Sequence, residues 1–217
     1  MDLCQCDVIK PLLNKTPVLI LQHPQEPDKD LGSARLSNLI LVNSALKVGL
    51  STPNLKHSLE SAYVAGDSIS NTSGLHLPAE AVVPSEWIVL FLGAKYKFDA
   101  ALQGPKKSKL YFFDKNDNPM DKQPADIKGV VAIDGTWAQA KTMWWRNPWL
   151  LKLTRSVLDP GQTSLYGKLR KEPRRESLST IEALAFTLEA LGEERGVSVE
   201  LLSAFRRLLQ KFRDRGE

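Results

Sequence analysis

Residues 134–137, with the sequence DGTW, combine a carboxylate, a glycine, a hydroxyl and an indole. A carboxylate can take a proton or hold a cationic group, and an indole can stack on a nucleic-acid base. The same stretch suits a helix start, because Thr136 and Gln139 have the T-x-x-Q spacing of a capping box. Asp134 is therefore either a turn residue or a functional carboxylate. Trp137 alone is more typical of a core residue.

Residues 164–183 show a similar organisation, with a basic loop that leads into a second capping-box pattern, Ser179 with Glu182. The basic residues before it are Lys168, Arg170, Lys171, Arg174 and Arg175. Guanidinium groups beside a helix N-terminus suit a phosphate or a carboxylate. The simpler interpretation is an exposed loop whose charge is balanced by Glu172 and Glu176.

Positive charge is concentrated in one part of the chain. Residues 141–175 hold nine Lys or Arg against two acids, or +7, so the rest of the +4 chain carries −3. Four tryptophans occur in the same part: Trp137, Trp144, Trp145 and Trp149. Cations beside aromatics favour a nucleic-acid partner over an ordinary solvated surface. We expect at least two indoles in the core but not all four, because adjacent helical residues point about 100° apart.

Apolar and turn patterns predict the elements that position these residues. Strands are predicted at 16–22, 86–93, 109–114, 129–133 and 155–159, and helices at 33–49, 136–147, 180–192 and 198–215. Ser33 is a possible N-cap, and residues 50–84 are predicted to be mostly loop. Alternating strands and helices predict an α/β protein with a mainly parallel sheet flanked by helices. Asp134 then lies at the carboxyl end of a strand, where such sheets bind ligands.

Composition sets broader limits. A chain of 217 residues with 42% hydrophobic and 25% charged residues suits one globular α/β domain, with or without a small appendage. It has no apolar run near the roughly 20 residues of a membrane helix, and no signal-peptide core. Two cysteines exclude a disulfide framework and favour a cytoplasmic setting. Walker-type, G-x-S-x-G and H-E-x-x-H motifs are all missing from the sequence.

As a set, the motifs IDGTWAQAKTMWWRNPWL, SLYGKLRKEP and LSTIEA resemble the DTW-domain family, whose D-x-T-W pattern is kept as Asp134, Thr136 and Trp137. The stretches LILQHPQE (19–26) and GSAR (32–35) are also similar to that family. The resemblance covers roughly residues 4–191. It implies a SPOUT-like α/β fold with a C-terminal knot, and a DTW domain over residues 16–217 that includes the C-terminal helices.

The family resemblance implies a tRNA-uridine aminocarboxypropyltransferase. Such an enzyme moves the 3-amino-3-carboxypropyl group of S-adenosylmethionine to N3 of a tRNA uridine and leaves methylthioadenosine. Asp134 is then the expected catalytic base, or else orients the amino group of the cofactor. The expected cofactor pocket comprises Gly135, Thr136, Trp137, Tyr166, Arg170, Ser179, Thr180 and Glu182. The expected tRNA contacts are Lys141, Arg146, Lys168, Lys171, Arg174 and Arg175.

The N-terminus departs from the family pattern, in which a C-x-x-C pair and a C-x-C pair suit a structural zinc site. Here only Cys4 and Cys6 are present, and two thiols cannot complete a tetrahedral site. We therefore predict no metal and interpret residues 1–15 as a remnant of a cysteine module. Two alternatives remain: a SPOUT-type RNA methyltransferase that uses the same cofactor, and a non-catalytic RNA-binding relative.

Overall fold

The computed structural model describes residues 3, 7–64, 82–90, 107–167 and 178–215. Its strands are β1 (Val18–Gln22), β2 (Ser44–Val48), β3 (Trp87–Leu90), β4 (Lys109–Phe113), β5 (Pro119–Met120), β6 (Gly129–Asp134) and β7 (Thr154–Asp159). Its helices are α1 (Ser33–Ile40), α2 (Leu55–Val64), α3 (Trp137–Arg146), α4 (Thr180–Ala190) and α5 (Arg195–Asp214).

The seven strands form one sheet in the order β2-β1-β6-β3-β7-β4-β5. The first five strands in this order are parallel, whereas β4 runs antiparallel to β7 and β5 antiparallel to β4. All six residues of β6 are buried. These observations confirm the mixed α/β fold with a mainly parallel sheet, and the C-terminal knot stays a prediction.

Alternate residues of the central strands belong to two separate hydrophobic cores, because successive strand side chains point to opposite faces. Val18 and Val130 belong to the core that contains the buried residues of α1, α4 and α5. Leu19 and Val131 belong to the core that contains those of α2 and α3. Helices therefore cover the sheet on both faces.

The prediction of one helix over residues 33–49 is wrong. Helix α1 ends at Ile40, and residues 44–48 form the edge strand β2 beside β1. The hydroxyl of Ser44 donates a hydrogen bond to the carbonyl of Leu41, 2.7 Å away, which stabilises the turn between helix and strand. The N-cap position is Gly32, not Ser33, which is the first helical residue.

The predicted loop over residues 50–84 contains helix α2. The side-chain Oδ1 of Asn54 accepts the backbone N–H of His57 at 2.8 Å, which is the bond of an N-cap residue. Leu55 and Leu59 are buried in the α2–α3 core. Residues 65–81 of this stretch and residues 91–93, the end of the strand predicted at 86–93, lie outside the described residues. Across the described ranges, no helix combines the length and the apolar character needed to cross a membrane.

Candidate functional site

Two neighbouring parallel strands end side by side with polar residues. Gln22, the last residue of β1, is in register with Asp134, the last residue of β6. The Nε2 of Gln22 donates to the Oδ2 of Asp134 at 3.0 Å, and the hydroxyl of Thr180 donates to its Oδ1. The carboxylate is only 9% exposed. Asp134 thus joins β6 to the start of α4, and its predicted strand-end position is confirmed.

The Asp134 carboxylate retains capacity for a ligand. An ionised carboxylate can accept about four hydrogen bonds, and the described contacts supply two donors, one to each oxygen. Within the described ranges, no lysine or arginine forms an ion pair with Asp134. A carboxylate in this setting suits a donor from a ligand, such as an ammonium or an imide N–H.

The predicted capping box at the start of α3 is confirmed. The hydroxyl of Thr136 accepts the backbone N–H of Gln139, and the Oε1 of Gln139 accepts the backbone N–H of Thr136 at 2.6 Å. Gly135 fits tightly between two elements, since a Cβ there would lie 3.1 Å from the Cβ of Gln139 and 3.4 Å from that of His23. Gly135 therefore shapes the turn that carries the chain from Asp134 into α3.

The four clustered tryptophans divide between the core and the surface. Trp149 is buried, and Trp144 is partly buried against the α2–α3 core, where the guanidinium of Arg155 lies 5.3 Å from its ring centroid. Trp137 is 40% exposed and Trp145 is 73% exposed. The expectation that not all four are buried is confirmed. The expectation that Trp137 is a core residue is wrong, because Trp137 stays 40% exposed in the first turn of α3.

The second predicted capping box, at the start of α4, is confirmed and extended by a wider network. Glu182 is fully buried, and its carboxylate accepts hydrogen bonds from the backbone N–H and hydroxyl of Ser179 at 2.9 and 2.6 Å. It also accepts the hydroxyl of Ser164 at 2.9 Å and the backbone N–H of Leu165 at 2.6 Å. The four donors fill its acceptor capacity and tie residues 164–165 to the helix.

Tyr166 is also enclosed by protein. Its side chain is 3% exposed, and its ring packs edge-on against Phe205 of α5 with 5.1 Å between centroids. Tyr166 and Glu182 therefore support the start of α4 and the loop before it, rather than presenting polar atoms to solvent. Ser179 is buried as the N-cap, and Thr180, the next residue, directs its hydroxyl to Asp134.

The remaining predicted site residues fall into two groups. Lys141 and Arg146 are exposed on α3. The others lie outside the described residues: Lys168, Arg170, Lys171, Arg174 and Arg175, together with Cys4 and Cys6. Among the side chains that the structure describes, no group of three or more His, Cys, Asp or Glu could hold a metal ion.

Sequence reasoning missed the residues that β1 brings to the site. The predicted strand already ends at Gln22, but only the structure shows that this strand pairs with β6 and so places Gln22 beside Asp134. The backbone N–H of His23 donates to the carbonyl of Asp134 at 2.9 Å. The Oε1 of Gln25 accepts from the Nε2 of Gln139 at 3.2 Å, which links the loop after β1 to α3.

Comparison with known proteins agrees with these motifs. The sequence profile of the DTW domain matches residues 1–213. A mouse (Mus musculus) protein named tRNA-uridine aminocarboxypropyltransferase 2 is 28% identical over 203 residues, which are 92% of this chain and 56% of that protein. The chain thus spans little more than half the length of that relative. No solved structure matches significantly. The profile match over nearly the whole chain shows that this protein belongs to the DTW-domain family.

Proposed function

We propose that this protein modifies tRNA by transferring the 3-amino-3-carboxypropyl group of S-adenosylmethionine to N3 of a uridine, with release of methylthioadenosine. The observation that carries the proposal is the buried Asp134 carboxylate at the carboxyl end of the interior strand β6, with acceptor capacity left for a ligand among the contacts that the structure describes. The DTW-domain match and the name of the mouse relative support the choice of reaction.

The residues around Asp134 fit the chemical groups of S-adenosylmethionine. The ammonium of S-adenosylmethionine or the N3–H of uridine can donate a hydrogen bond to Asp134. The partly exposed ring of Trp137 offers a flat apolar surface to an adenine. Trp137 is the group we assign to the adenine of the cofactor, and Asp134 is assigned to the reacting groups.

Asp134 has a defined task in this reaction. When bound, the sulfonium of S-adenosylmethionine makes the adjacent carbon of the aminocarboxypropyl group electrophilic. Transfer joins uridine N3 to that carbon as the carbon–sulfur bond breaks, and N3 must give up its proton. We assign this proton to the Asp134 carboxylate, whose position is held by Gln22 and Thr180. The alternative task of Asp134 is to hold the amino group of the cofactor.

The other members of the proposed site act by position or charge. Gly135 and Thr136 set the start of α3, whereas Ser179 and Glu182 set the start of α4. Lys141 and Arg146 are proposed contacts to the tRNA backbone because they are exposed cations on α3, the helix that begins beside Asp134. The same role is proposed, from charge alone, for Lys168, Lys171, Arg174 and Arg175, and a carboxylate or phosphate contact for Arg170.

The by-product of the reaction tests the proposal. Purified protein incubated with unmodified tRNA and S-adenosylmethionine should release methylthioadenosine, and nucleoside mass spectrometry should detect aminocarboxypropyl-uridine. Release of S-adenosylhomocysteine would assign the protein to methyl transfer instead. Tight tRNA binding without either by-product would contradict the proposed enzyme and support an RNA-binding relative.

A further inference from the structure

Helix α3 carries two exposed tryptophans and an exposed lysine in one row. Trp137, Lys141 and Trp145 are four residues apart in succession, so each is rotated about 40° from the previous one. Trp145 is 73% exposed and Trp137 is 40% exposed, whereas Ala140 and Met143 on the inward face are 3% and 1% exposed. We call Trp137, Lys141 and Trp145 the α3 stripe.

Trp145 is not needed to build the core. The inward residues of α3 already pack in the α2–α3 core, and Trp149 fills the same core from the next turn of chain. Tryptophan is usually largely buried, so a side chain as exposed as Trp145 suggests a contact with another molecule.

Charge and position indicate what that molecule is. Residues 136–152 include Lys141, Arg146 and Lys152, all exposed, and contain no Asp or Glu. This surface therefore complements phosphates, while the Trp145 indole offers a ring on which an unpaired base can stack. The stripe starts three residues after Asp134. At about 1.5 Å per residue it extends ~12 Å along the helix, comparable to three or four nucleotides at a rise of about 3.4 Å.

We propose that the α3 stripe binds unpaired nucleotides of the RNA substrate next to the reacting uridine. A base stacks on Trp145, and the Lys141 ammonium contacts the phosphate next to it, on the side of Trp137, whose ring is assigned to the adenine of the cofactor. This inference rests on the proposed function for the identity of the RNA. Its binding test requires no turnover, so the two proposals fail separately.

The test compares variants of the full chain for binding to a fluorescently labelled ten-residue oligouridylate and to unmodified tRNA, by anisotropy over a range of salt concentrations. Trp145→Ala should weaken binding about tenfold, or about 1.4 kcal/mol, within the range of roughly 1–3 kcal/mol per stacked base. Its salt dependence should match wild type, because no charge is removed. Trp145→Phe should restore most of the affinity. Lys141→Ala should instead reduce the salt slope by about 0.7.

Val199→Ala is the matched control, because Val199 is a 54% exposed apolar residue of α5, outside the stripe. Wild-type affinity in Trp145→Ala, or no recovery in Trp145→Phe, would overturn the proposal. The proposal would also be overturned if Trp145→Ala lost a self-association that wild type shows in sedimentation while its RNA binding stayed intact, because the stripe would then be a contact between protein copies. If Trp145→Ala weakens RNA binding but wild type releases no methylthioadenosine, the proposed function fails and the stripe stands. If wild type turns over and Trp145→Ala keeps its KM for tRNA, the stripe fails alone.

Discussion

Glu182 allows a prediction whose magnitude follows from its hydrogen bonds. Its Oε1 accepts the backbone N–H of Leu165, and its Oε2 accepts the backbone N–H of Ser179 together with the hydroxyls of Ser164 and Ser179. In Glu182→Gln, one of the two carboxylate oxygens is replaced by an amide nitrogen, which donates hydrogen bonds and does not accept them. The serine hydroxyls can rotate and accept from the new amide, whereas a backbone N–H cannot.

Glu182→Gln should therefore leave one buried backbone N–H without an acceptor, which costs about 1–3 kcal/mol. For a domain of this size the midpoint of thermal unfolding should fall by about 2–4 °C for each kcal/mol. Glu182→Ala removes the acceptor for both backbone N–H groups, so its loss should be about twice as large. Glu189→Gln, at an exposed position of the same helix, should stay within about 0.5 kcal/mol of wild type.

Urea unfolding followed by circular dichroism measures these differences, with an unchanged m-value as evidence that only stability has changed. A Glu182→Gln protein as stable as Glu189→Gln would refute the reasoning, because residues 164–165 would then not depend on Glu182. A glutamine variant as unstable as the alanine variant would also contradict it, since one acceptor is retained.

Three further predictions concern other parts of the chain. Thr136→Ala should lower the free energy of unfolding by roughly 1 kcal/mol through loss of the N-cap, with turnover reduced far less than by a change at Asp134; Thr136→Ser should restore stability. Arg174→Ala with Arg175→Ala should weaken tRNA binding and lower its salt slope by about 0.9 per lost duplex contact or 0.7 per single-strand contact, and an unchanged slope would exclude both from the RNA interface. The side-chain hydrogen bond from Asn118, helped by backbone N–H groups, lowers the pKa of Asp114 below its ordinary value of 3.8. Its stabilisation of the β4–β5 turn is therefore present above that value and lost as pH falls through the lower folded value; NMR titration of the Asp114 carboxyl should give a midpoint below 3.8, and a midpoint at or above 3.8 would contradict this cause.

Local sequence patterns predict the strand and the two helix starts that surround the site. The apolar run before Asp134 marks a buried strand, and the two capping boxes mark the starts of α3 and α4 within a residue. Capping boxes are reliable because the residues that satisfy the helix N-terminus lie three positions apart in the chain. By contrast, the sequence pattern places the residues of β2 in the helix predicted over 33–49, because their short apolar run continues the pattern of α1. Their strand conformation depends on pairing with β1, which the pattern does not show.

Long-range contacts could not be predicted in the same way. The hydrogen bond between Gln22 and Asp134 joins residues 112 positions apart, and that between Glu182 and Leu165 spans 17 positions. The helix period showed that Trp144 and Trp145 point in different directions, but not which of them faces the sheet. That choice is made by packing: Ala140, Met143 and Trp144 face the α2–α3 core, which leaves Trp145 exposed.

Single-turnover release of methylthioadenosine by Asp134→Asn tests the central claim most directly. The asparagine keeps the size of the side chain and can still accept from Thr180 or Gln22, but cannot take the N3 proton. With tRNA and S-adenosylmethionine saturating, we predict a rate about 10²-fold or more below wild type, with both affinities and the unfolding midpoint little changed. Asp121→Asn, at an exposed site, should match wild type. A near-wild-type rate from a folded Asp134→Asn protein would contradict the assignment of Asp134 as the base, and lost cofactor binding would assign it instead to the amino group of S-adenosylmethionine.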